Sequence, residues 1–228
     1  DNTKKFPQGL QGTFQIKNLS MAVLASRLCK LNESKIDSAL KNLKNVSGRL
    51  ELIKKFPNNV RIFIDYAHTP DALLEVLKSI KSTYGNNVSL VFGCGGERDY
   101  KKRPLMAKVA KSFCKKIYVT DDNPRNESPQ KIRREISRGL KGINFFNIGN
   151  RFKAIKKALL NADPNEIILV AGKGHENFQD YGNKIISTSD KKIIKELKVN
   201  KKHKRKKNKD YLFNYKIFSK IIKNKKFS

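Results

Sequence analysis

The sequence predicts an α/β fold, built on a mostly parallel six-stranded sheet with helices on both faces and preceded by two further helices. Three observations lead to this prediction. Short β-branched runs of strand length recur along the chain, segments with a helical apolar repeat separate them, and two of these segments begin with a capping residue followed by proline. Strands that alternate with helices in this way pair in parallel, because each helix carries the chain back to the start of the next strand.

Five apolar runs have the composition of buried strands, and a sixth, shorter run is expected to form an edge strand. The five runs are Val60–Asp65, Val88–Phe92, Ile117–Thr120, Asn144–Ile148 and Ile167–Ala171. The expected edge strand is Lys184–Ser187. Buried runs separated by helices of this length are typical of a Rossmann-like sheet.

The helices between the strands are recognised by their starts and by their apolar repeat. Thr69 precedes Pro70, and Ser128 precedes Pro129, so each pair offers a side-chain cap and then proline at the first helical position. The apolar positions of the first of these helices fall on one face, as expected for packing against a sheet. They are Leu73, Val76, Leu77 and Ile80.

Two helices without strands of their own precede the sheet. They are predicted over Leu19–Leu31 and Ser34–Leu43. Because no strand is expected before Arg49, residues 1–56 are assigned to the end of another domain, with a boundary near Pro57. Residues 57–197 then form the sheet domain.

A basic tail, residues 198–228, follows the sheet domain. It carries thirteen Lys or Arg residues against the single Asp210, so a net charge of +12 out of the chain's +30 lies in the tail. The charge run Lys198–Asp210 is expected to be disordered, and Tyr211–Ile222 has the weak pattern of a basic amphipathic helix. The remaining positive charge is mostly lysine scattered over helical faces, which is typical of solvated surface.

The three cysteines, Cys29, Cys94 and Cys114, show neither CxxC spacing nor a histidine at metal-ligand spacing. This pattern favours a reducing, cytoplasmic location. No apolar run approaches the length of a membrane span, and the first residues lack the pattern of a signal peptide, so we expect a soluble protein.

Four polar clusters follow the carboxyl ends of predicted strands. They are Asp65–Pro70, Gly93–Asp99 with the nearby Lys102-Arg103-Pro104, Asp121–Arg125 and Ala171–Glu176. In a parallel sheet the carboxyl ends of the strands meet at one edge, where ligands of such folds bind. The sequence therefore predicts one shared site formed by these clusters.

Single residues of these clusters have simpler explanations as well. His68 is as well explained by a capping turn, and Cys94 by a small filler in a glycine loop. Lys173 lies between two glycines, but no Ser or Thr follows it, so it is not part of a phosphate loop of the Walker type. It is interpreted as a point charge near an anion, Glu176 as the partner of an ammonium, and Asp65 as a hydrogen-bond partner of a ribose.

Taken in order, these motifs resemble the C-terminal domain of the Mur ligases, which are ATP-dependent, amide-forming enzymes of peptidoglycan and cell-wall synthesis. They are most similar to the MurE type. The resemblance extends roughly from Gly9 to Leu197. At its start, Gly12-Thr13-Phe14 with Asn18 resembles the last stretch of the family's central ATPase domain, so the two upstream helices are assigned to that domain.

The resemblance implies nucleotide-binding roles for three residues. In the segment Ser47–Glu51, Arg49 matches the arginine that approaches ATP. In Asp-Tyr-Ala-His-Thr-Pro, Asp65 and His68 match positions near the adenosine.

The resemblance also implies a site for meso-diaminopimelate, the amino acid that such enzymes add to UDP-N-acetylmuramoyl-L-alanyl-D-glutamate. Diaminopimelate differs from lysine by a distal carboxylate, which Arg98 and Arg125 can bind, while Glu176 and Asp122 suit the neighbouring ammonium. Arg125 is therefore expected to decide the choice of substrate. The implied binding residues are Arg98, Asp122, Asn123, Pro124, Arg125, Gly172 and Glu176.

The implied cofactors are ATP and Mg²⁺. In the family, the phosphate loop, the magnesium ligands and a carbamylated lysine belong to the central domain, and none of these motifs occurs in this sequence. We therefore expect no catalytic residue and no metal ligand in this chain and no activity of the chain alone, with the missing domains supplied by a separate chain if the protein is split.

Two alternatives stay open, a non-enzymatic one and another member of the ATP-dependent ligase superfamily. The net charge of +30 and the tail aromatics Tyr211, Phe213, Tyr215 and Phe218 fit a nucleic-acid-binding module. Another ATP-dependent ligase, such as a folylpolyglutamate synthetase, would share the fold. The Asp122–Arg125 loop argues against that second alternative.

Overall fold

A six-stranded sheet organises the chain in the computed structural model, which describes residues 12–85 and 87–198. Its strands are β1 (Glu51–Lys55), β2 (Arg61–Asp65), β3 (Val88–Phe92), β4 (Lys116–Val119), β5 (Phe145–Asn147) and β6 (Ile167–Ala171). The order across the sheet is β1-β2-β6-β3-β4-β5. β1 is antiparallel to β2, and every other pair of neighbours is parallel. The predicted fold class is confirmed.

Seven helices lie within the described residues, and both predicted caps are present. The helices are α1 (Thr13–Leu28), α2 (Glu33–Lys41), α3 (Pro70–Tyr84), α4 (Lys102–Phe113), α5 (Pro129–Arg138), α6 (Arg151–Leu160) and α7 (Asp190–Glu196). The Thr69 hydroxyl accepts a hydrogen bond from the Ala72 amide at 3.3 Å, and the Ser128 hydroxyl accepts one from the Lys131 amide at 3.4 Å. None of the helices described combines the length and the apolar character needed to cross a bilayer.

Alternate residues of the strands face two different layers of helices. One face packs against α3, α4 and α5, whose apolar side chains form a single core cluster with it. The other face packs against α6, which contacts β3, β4 and β6. Strands buried on both faces read as continuous apolar runs, which is why β3 and β6 were predicted with their observed bounds.

The predicted edge strand Lys184–Ser187 is a strand, but not of the main sheet. β8 (Ile185–Ser187) pairs with β7 (Phe178–Asp180) in a separate two-stranded antiparallel hairpin. The sixth strand of the main sheet is β1, which the sequence did not predict. β1 is an edge strand with two lysines among its five residues, and none of its side chains is fully buried, so it produces no apolar run.

The predicted domain boundary near Pro57 falls between two paired strands. Because β1 and β2 form one antiparallel pair, the sheet continues across Pro57. We propose a boundary at about Gly48 instead, ahead of β1. By its internal contacts the chain divides into a compact unit that ends at Lys195 and a second unit, residues 196–228. The predictions for the tail beyond residue 198 lie outside the described residues.

A buried ion pair fixes α6 and α7 to the sheet. Arg151 is 2% exposed and donates two hydrogen bonds of 2.7 Å to the two carboxylate oxygens of Asp190, which is equally buried. It also donates to the carbonyl of Ala171 at 3.0 Å and to that of Asp121 at 3.4 Å. Although burial opposes it, the Asp190 carboxylate raises the pKa of Arg151, so the guanidinium stays charged.

We predict that Asp190→Asn destabilises the protein by about 3–5 kcal/mol, because it leaves a buried guanidinium without its counter-ion. Urea unfolding followed by circular dichroism measures the change. As a control, Glu75→Gln removes the partner of Lys78 in a solvent-exposed ion pair and should leave the unfolding midpoint nearly unchanged. If both substitutions changed the free energy of unfolding equally, the buried Arg151–Asp190 ion pair would not have the structural role assigned to it.

Candidate functional site

The four polar clusters predicted from the sequence lie side by side. β2, β6, β3 and β4 are consecutive neighbours in the sheet and are parallel to one another. Their carboxyl ends therefore open onto one edge, and the clusters that follow them form neighbouring loops. The predicted convergence is confirmed in the structure.

The guanidinium of Arg125 is held in place from two sides. Its Nη1 donates to the Gly96 carbonyl at 2.7 Å, and its Nε lies 3.8 Å from a carboxylate oxygen of Asp180. Arg125 adopts a left-handed backbone conformation, with φ of 51°, and its side chain is 24% exposed. The side chain is thus oriented by protein contacts while it remains accessible to a ligand.

Arg98 lies beside the same glycine loop. A Cβ at Gly95 would be 3.1 Å from Nη1 of Arg125 and 3.9 Å from Cγ of Arg98, so this glycine lies close to both arginines. Arg98 is exposed. Two guanidinium groups therefore originate at one rim, as predicted.

A buried network joins the loop after β4 to the loop after β6. Lys173 is 1% exposed, and its ammonium donates to Asn123 Oδ1 at 2.9 Å and to Glu176 Oε2 at 2.7 Å. Asn123 Nδ2 donates to the same Glu176 oxygen at 3.0 Å. The anion near Lys173 that the sequence predicted is therefore Glu176 of the protein itself.

Asp122 faces the glycine turn after β6. Its side chain is 8% exposed and accepts no hydrogen bond from any other residue in the described part of the chain. A Cβ at Gly172 would lie 2.6 Å from Asp122 Oδ2, and Gly172 has a φ of +108°. Only glycine leaves room for the carboxylate here. Asp122 thus offers a carboxylate without a hydrogen-bond partner among the described residues, beside the turn after β6.

Sequence reasoning missed the β7–β8 hairpin, which covers the loop after β4. Gln179 Nε2 donates to the carbonyls of Asp121 and Asp122 at 3.1 and 3.0 Å. The amide of Arg125 donates to the Asp180 carbonyl at 3.0 Å, and the Asp180 amide donates to Asn123 Oδ1 at 3.1 Å. The hairpin therefore fixes the backbone of the loop after β4. The sequence marked β8 as a strand but gave no sign of this contact, because each hydrogen bond between the hairpin and the loop spans more than fifty residues.

Asp121 is part of the scaffold of this loop. It pairs with Arg133 of α5 and accepts a hydrogen bond from the Tyr181 hydroxyl at 3.1 Å. Burial raises the pKa of Asp121 above its ordinary value, and the charge of Arg133 opposes that rise. With its oxygens occupied in this way, Asp121 positions the loop and has no free oxygen for a ligand.

Pro124 and the glycine loop after β3 are packed tightly together. A Cβ at Gly96 would lie 1.9 Å from the Pro124 carbonyl oxygen, so the two loops meet backbone to backbone. Beneath them, Arg103 donates to the Gly95 carbonyl at 3.3 Å and to Glu127 at 3.0 Å. This packing stiffens the rim that carries Arg98 and Arg125.

A second, aromatic and cationic group lies at the carboxyl end of β2. The guanidinium carbon of Arg49 is 4.9 Å from the centre of the Tyr66 ring, and the rings of His68 and His175 are 4.8 and 5.5 Å from it. Arg49 and both histidines are exposed. These side chains can stack on a planar group and bind an anion, as a nucleotide would require. His175 was not assigned from the sequence.

Asp65 is not placed as expected of a residue that hydrogen-bonds a ribose, because its carboxylate is buried. Its two oxygens accept hydrogen bonds from the amides of Leu50 at 2.6 Å and Ala67 at 2.7 Å, and the side chain is 2% exposed. Burial raises the pKa of Asp65, and these amides oppose the rise. We therefore replace the direct ribose contact by a proposal that Asp65 holds the turn carrying Arg49.

Cys94 is a filler, as the sequence suggested. It is 3% exposed and donates a hydrogen bond to the Met106 sulfur at 3.7 Å. Burial raises the pKa of its thiol to about 12, so it is not an activated nucleophile. In the described part of the chain, no group of three or more His, Cys, Asp or Glu side chains is arranged to hold a metal ion.

Comparison with known proteins identifies a family and named relatives. The family described as "Mur ligase, glutamate ligase domain" matches residues 48–174. The UDP-N-acetylmuramoyl-L-alanyl-D-glutamate--2,6-diaminopimelate ligase of Rickettsia bellii (strain RML369-C) is 44% identical over 191 residues, which cover 82% of this chain and 39% of the relative. An enzyme of the same name from Haemophilus influenzae is 40% identical over 185 residues, 81% of this chain and 38% of the relative. The chain thus spans about two fifths of the length of these relatives.

Solved structures show the same relationship. A structure of a UDP-N-acetylmuramoyl-L-alanyl-D-glutamate--2,6-diaminopimelate ligase matches with a TM-score of 0.62 and 34% identity, over 82% of this chain and 39% of that one. A folylpolyglutamate synthase from Thermotoga maritima matches with a TM-score of 0.52 and 26% identity, over 72% of this chain and 36% of that one. The fold is common to both types of ligase, and the identity is higher to the first.

We predict that Gly172→Ala is more destabilising than Gly142→Ala, as measured by urea unfolding. Both glycines have positive φ angles, of +108° and +83°, so both substitutions carry backbone strain of about 1–3 kcal/mol. Only at Gly172 would the new methyl group also meet a carboxylate, whereas nothing lies within 4 Å at Gly142. An extra cost of about 1–3 kcal/mol is expected at Gly172. Equal costs would show that Asp122 is not held against this turn.

We predict that iodoacetamide modifies Cys29 in the folded protein and leaves Cys94 and Cys114 unmodified, because Cys29 is exposed and the other two are buried. Mass spectrometry of peptides locates the modified thiols. All three should react in denaturant. Rapid modification of Cys94 under native conditions would contradict its assignment as an inert filler.

Proposed function

The chain belongs to the Mur ligase family, and we propose that it is the amino-acid-binding part of an enzyme that adds meso-diaminopimelate to UDP-N-acetylmuramoyl-L-alanyl-D-glutamate. Because the chain spans about two fifths of its relatives, the reaction and its substrates are proposals for the whole enzyme. One observation carries the proposal. Asn123 contacts both Arg125 and Glu176, through hydrogen bonds of 3.5 and 3.0 Å, so a guanidinium and a carboxylate lie at one site.

The proposed site matches the distal end of diaminopimelate, which carries a carboxylate and an ammonium on one carbon. We assign the carboxylate to Arg125 and Arg98, since a guanidinium offers parallel N–H donors to such a group. We assign the ammonium to Glu176 and Asp122. With the distal end held in this way, the amine at the other end of the molecule is left free to react.

Lysine lacks the distal carboxylate, so it would leave these guanidinium groups without their ligand. Loss of one partner of a buried charge pair costs about 2–5 kcal/mol. Arg125 is 24% exposed and lies near Asp180, so the lower end of that range applies, about 2 kcal/mol or roughly 30-fold in affinity. This discrimination rests on Arg125 more than on the exposed Arg98.

We propose that ATP binds where Arg49, Tyr66 and His68 lie together, because these side chains offer a stacking surface and a cation for phosphate. ATP would activate the D-glutamate carboxylate by phosphorylation. The contribution of this chain is to cover the nucleotide with Arg49 and His68 and to present the amine of diaminopimelate. The phosphate loop and the ligands of Mg²⁺ are expected in the part of the enzyme beyond this chain. A cytoplasmic location, as expected from the cysteines, is part of the same proposal.

We predict that the purified chain binds meso-diaminopimelate more tightly than L-lysine, by roughly 30-fold, and that Arg125→Ala removes this preference. Isothermal titration calorimetry with both amino acids measures it. Arg134→Ala is the matched control, because Arg134 is an exposed arginine of α5, outside the loop Asp121–Arg125. It should leave both affinities unchanged.

Three results would contradict the proposal. Equal binding of lysine and diaminopimelate by the unsubstituted chain would remove the basis of selectivity. Competition by glutamate at the same concentrations would favour a folylpolyglutamate synthetase instead. Retention of the preference in Arg125→Ala would show that another residue recognises the distal carboxylate.

A further inference from the structure

We infer that Lys173 is a positioning residue for the proposed acceptor site, and that its buried ammonium fixes the orientation of both Asn123 and Glu176 toward the ligand. The inference rests on the proposed function, because it concerns the end of diaminopimelate that Glu176 would bind. Lys173 itself is 1% exposed, so a ligand in the site cannot reach its ammonium directly. Its effect on a ligand must therefore pass through its two polar neighbours.

The ammonium of Lys173 is held by two protein acceptors and lies near one aromatic ring. It donates to Asn123 Oδ1 at 2.9 Å and to Glu176 Oε2 at 2.7 Å, and it lies 5.4 Å from the centre of the Phe178 ring. A buried lysine is retained at low cost only where its charge is paired and its donors are satisfied. Here the pairing partner is the carboxylate that would bind the ligand.

The orientation of the Asn123 amide follows from this network. Its Oδ1 accepts from Lys173 and from the Asp180 amide, and its Nδ2 donates to Glu176. The reversed amide would set an NH₂ group against two donors and a carbonyl against a carboxylate. Lys173 and the Asp180 amide together therefore determine which end of the Asn123 amide faces Glu176.

The two oxygens of Glu176 have different surroundings as a result. Oε2 accepts from Lys173 and Asn123, whereas Oε1 accepts no hydrogen bond from any residue that the structure describes. The side chain is 20% exposed. One oxygen is thus anchored inward, and the other is left to accept a hydrogen bond from a ligand ammonium.

This arrangement predicts an effect on one ligand group only. Without Lys173, Glu176 loses the cation that orients its carboxylate, and the contribution of the distal ammonium to binding falls to what Asp122 alone supplies. The distal carboxylate is bound by Arg125, which is held separately by Gly96 and Asp180. 2-Aminopimelate, which keeps the distal carboxylate but lacks the distal ammonium, should therefore bind equally well with or without Lys173.

The experiment compares meso-diaminopimelate with 2-aminopimelate by calorimetry on the whole chain. The unsubstituted chain should prefer diaminopimelate by roughly 10- to 100-fold, the effect of a hydrogen bond between charged groups. Lys173→Met should reduce the preference to about 3-fold or less while the affinity for 2-aminopimelate changes by less than about 2-fold. Glu176→Gln should give the same pattern.

Lys116→Met is the matched control. Lys116 also bridges carboxylates, those of Asp163 and Glu166 at 2.9 Å each, but it lies at the start of β4, at the opposite end of that strand from the site. Lys116→Met should leave the preference for diaminopimelate over 2-aminopimelate unchanged, even if it destabilises the protein. Should Lys173→Met fail to fold by circular dichroism, Lys173→Gln, which keeps a donor without the charge, is judged by the same ratio.

The possible results distinguish failure of the Lys173 inference from failure of the proposed function. An unchanged ratio in a folded Lys173 variant overturns the positioning role and leaves the proposed function standing. An equal loss of affinity for both ligands overturns it as well, because that result is expected of general damage to the pocket. No binding of diaminopimelate by the unsubstituted chain rejects the proposed function, and the inference with it.

Discussion

The buried guanidinium of Arg151 is the contact on which the geometry of the site depends. It reaches Ala171 at the end of β6 and Asp121 after β4, two positions separated in the sheet by β3. Asp190 neutralises it with both oxygens at 2.7 Å. A guanidinium in such a position is tolerated only with its charge and donors satisfied, so the backbone carbonyls of both loops become fixed partners. The loops that carry Asn123 and Glu176 thereby start from one rigid point.

Further hydrogen bonds hold the loops that follow these strand ends, and with them the side chains of the site. The β7–β8 hairpin holds the backbone of the loop after β4 through Gln179 and Asp180. Arg103, buried beneath the glycine loop, holds the rim through Gly95 and Glu127. Residues that would touch a ligand are thus supported by residues that cannot reach it. A site built in this way loses little conformational entropy when a ligand binds.

The sequence predicted the position of the site better than its support. Each polar cluster follows its own apolar run, so a local pattern combined with parallel pairing was enough to place Arg125 and Glu176 together. The sequence analysis did not single out Arg151, whose partner Asp190 is 39 residues away. β1 was missed since an edge strand with Lys54 and Lys55 has no apolar run. The contacts of Arg151 and Gln179 escaped prediction for another reason, because they are long-range and such contacts leave no periodic signal.

The charges of the site are balanced, and this balance bears on how it would select a ligand. Three cations, Arg98, Arg125 and Lys173, accompany three carboxylates, Asp122, Glu176 and Asp180. A balanced site exerts little net attraction on either a cation or an anion. It favours a group that carries both signs at the correct spacing, because only such a group satisfies the guanidinium and the carboxylate at once. Selection of the ligand therefore does not depend on the net charge of the whole chain. It depends on the spacing between the guanidinium groups and the carboxylates of the site.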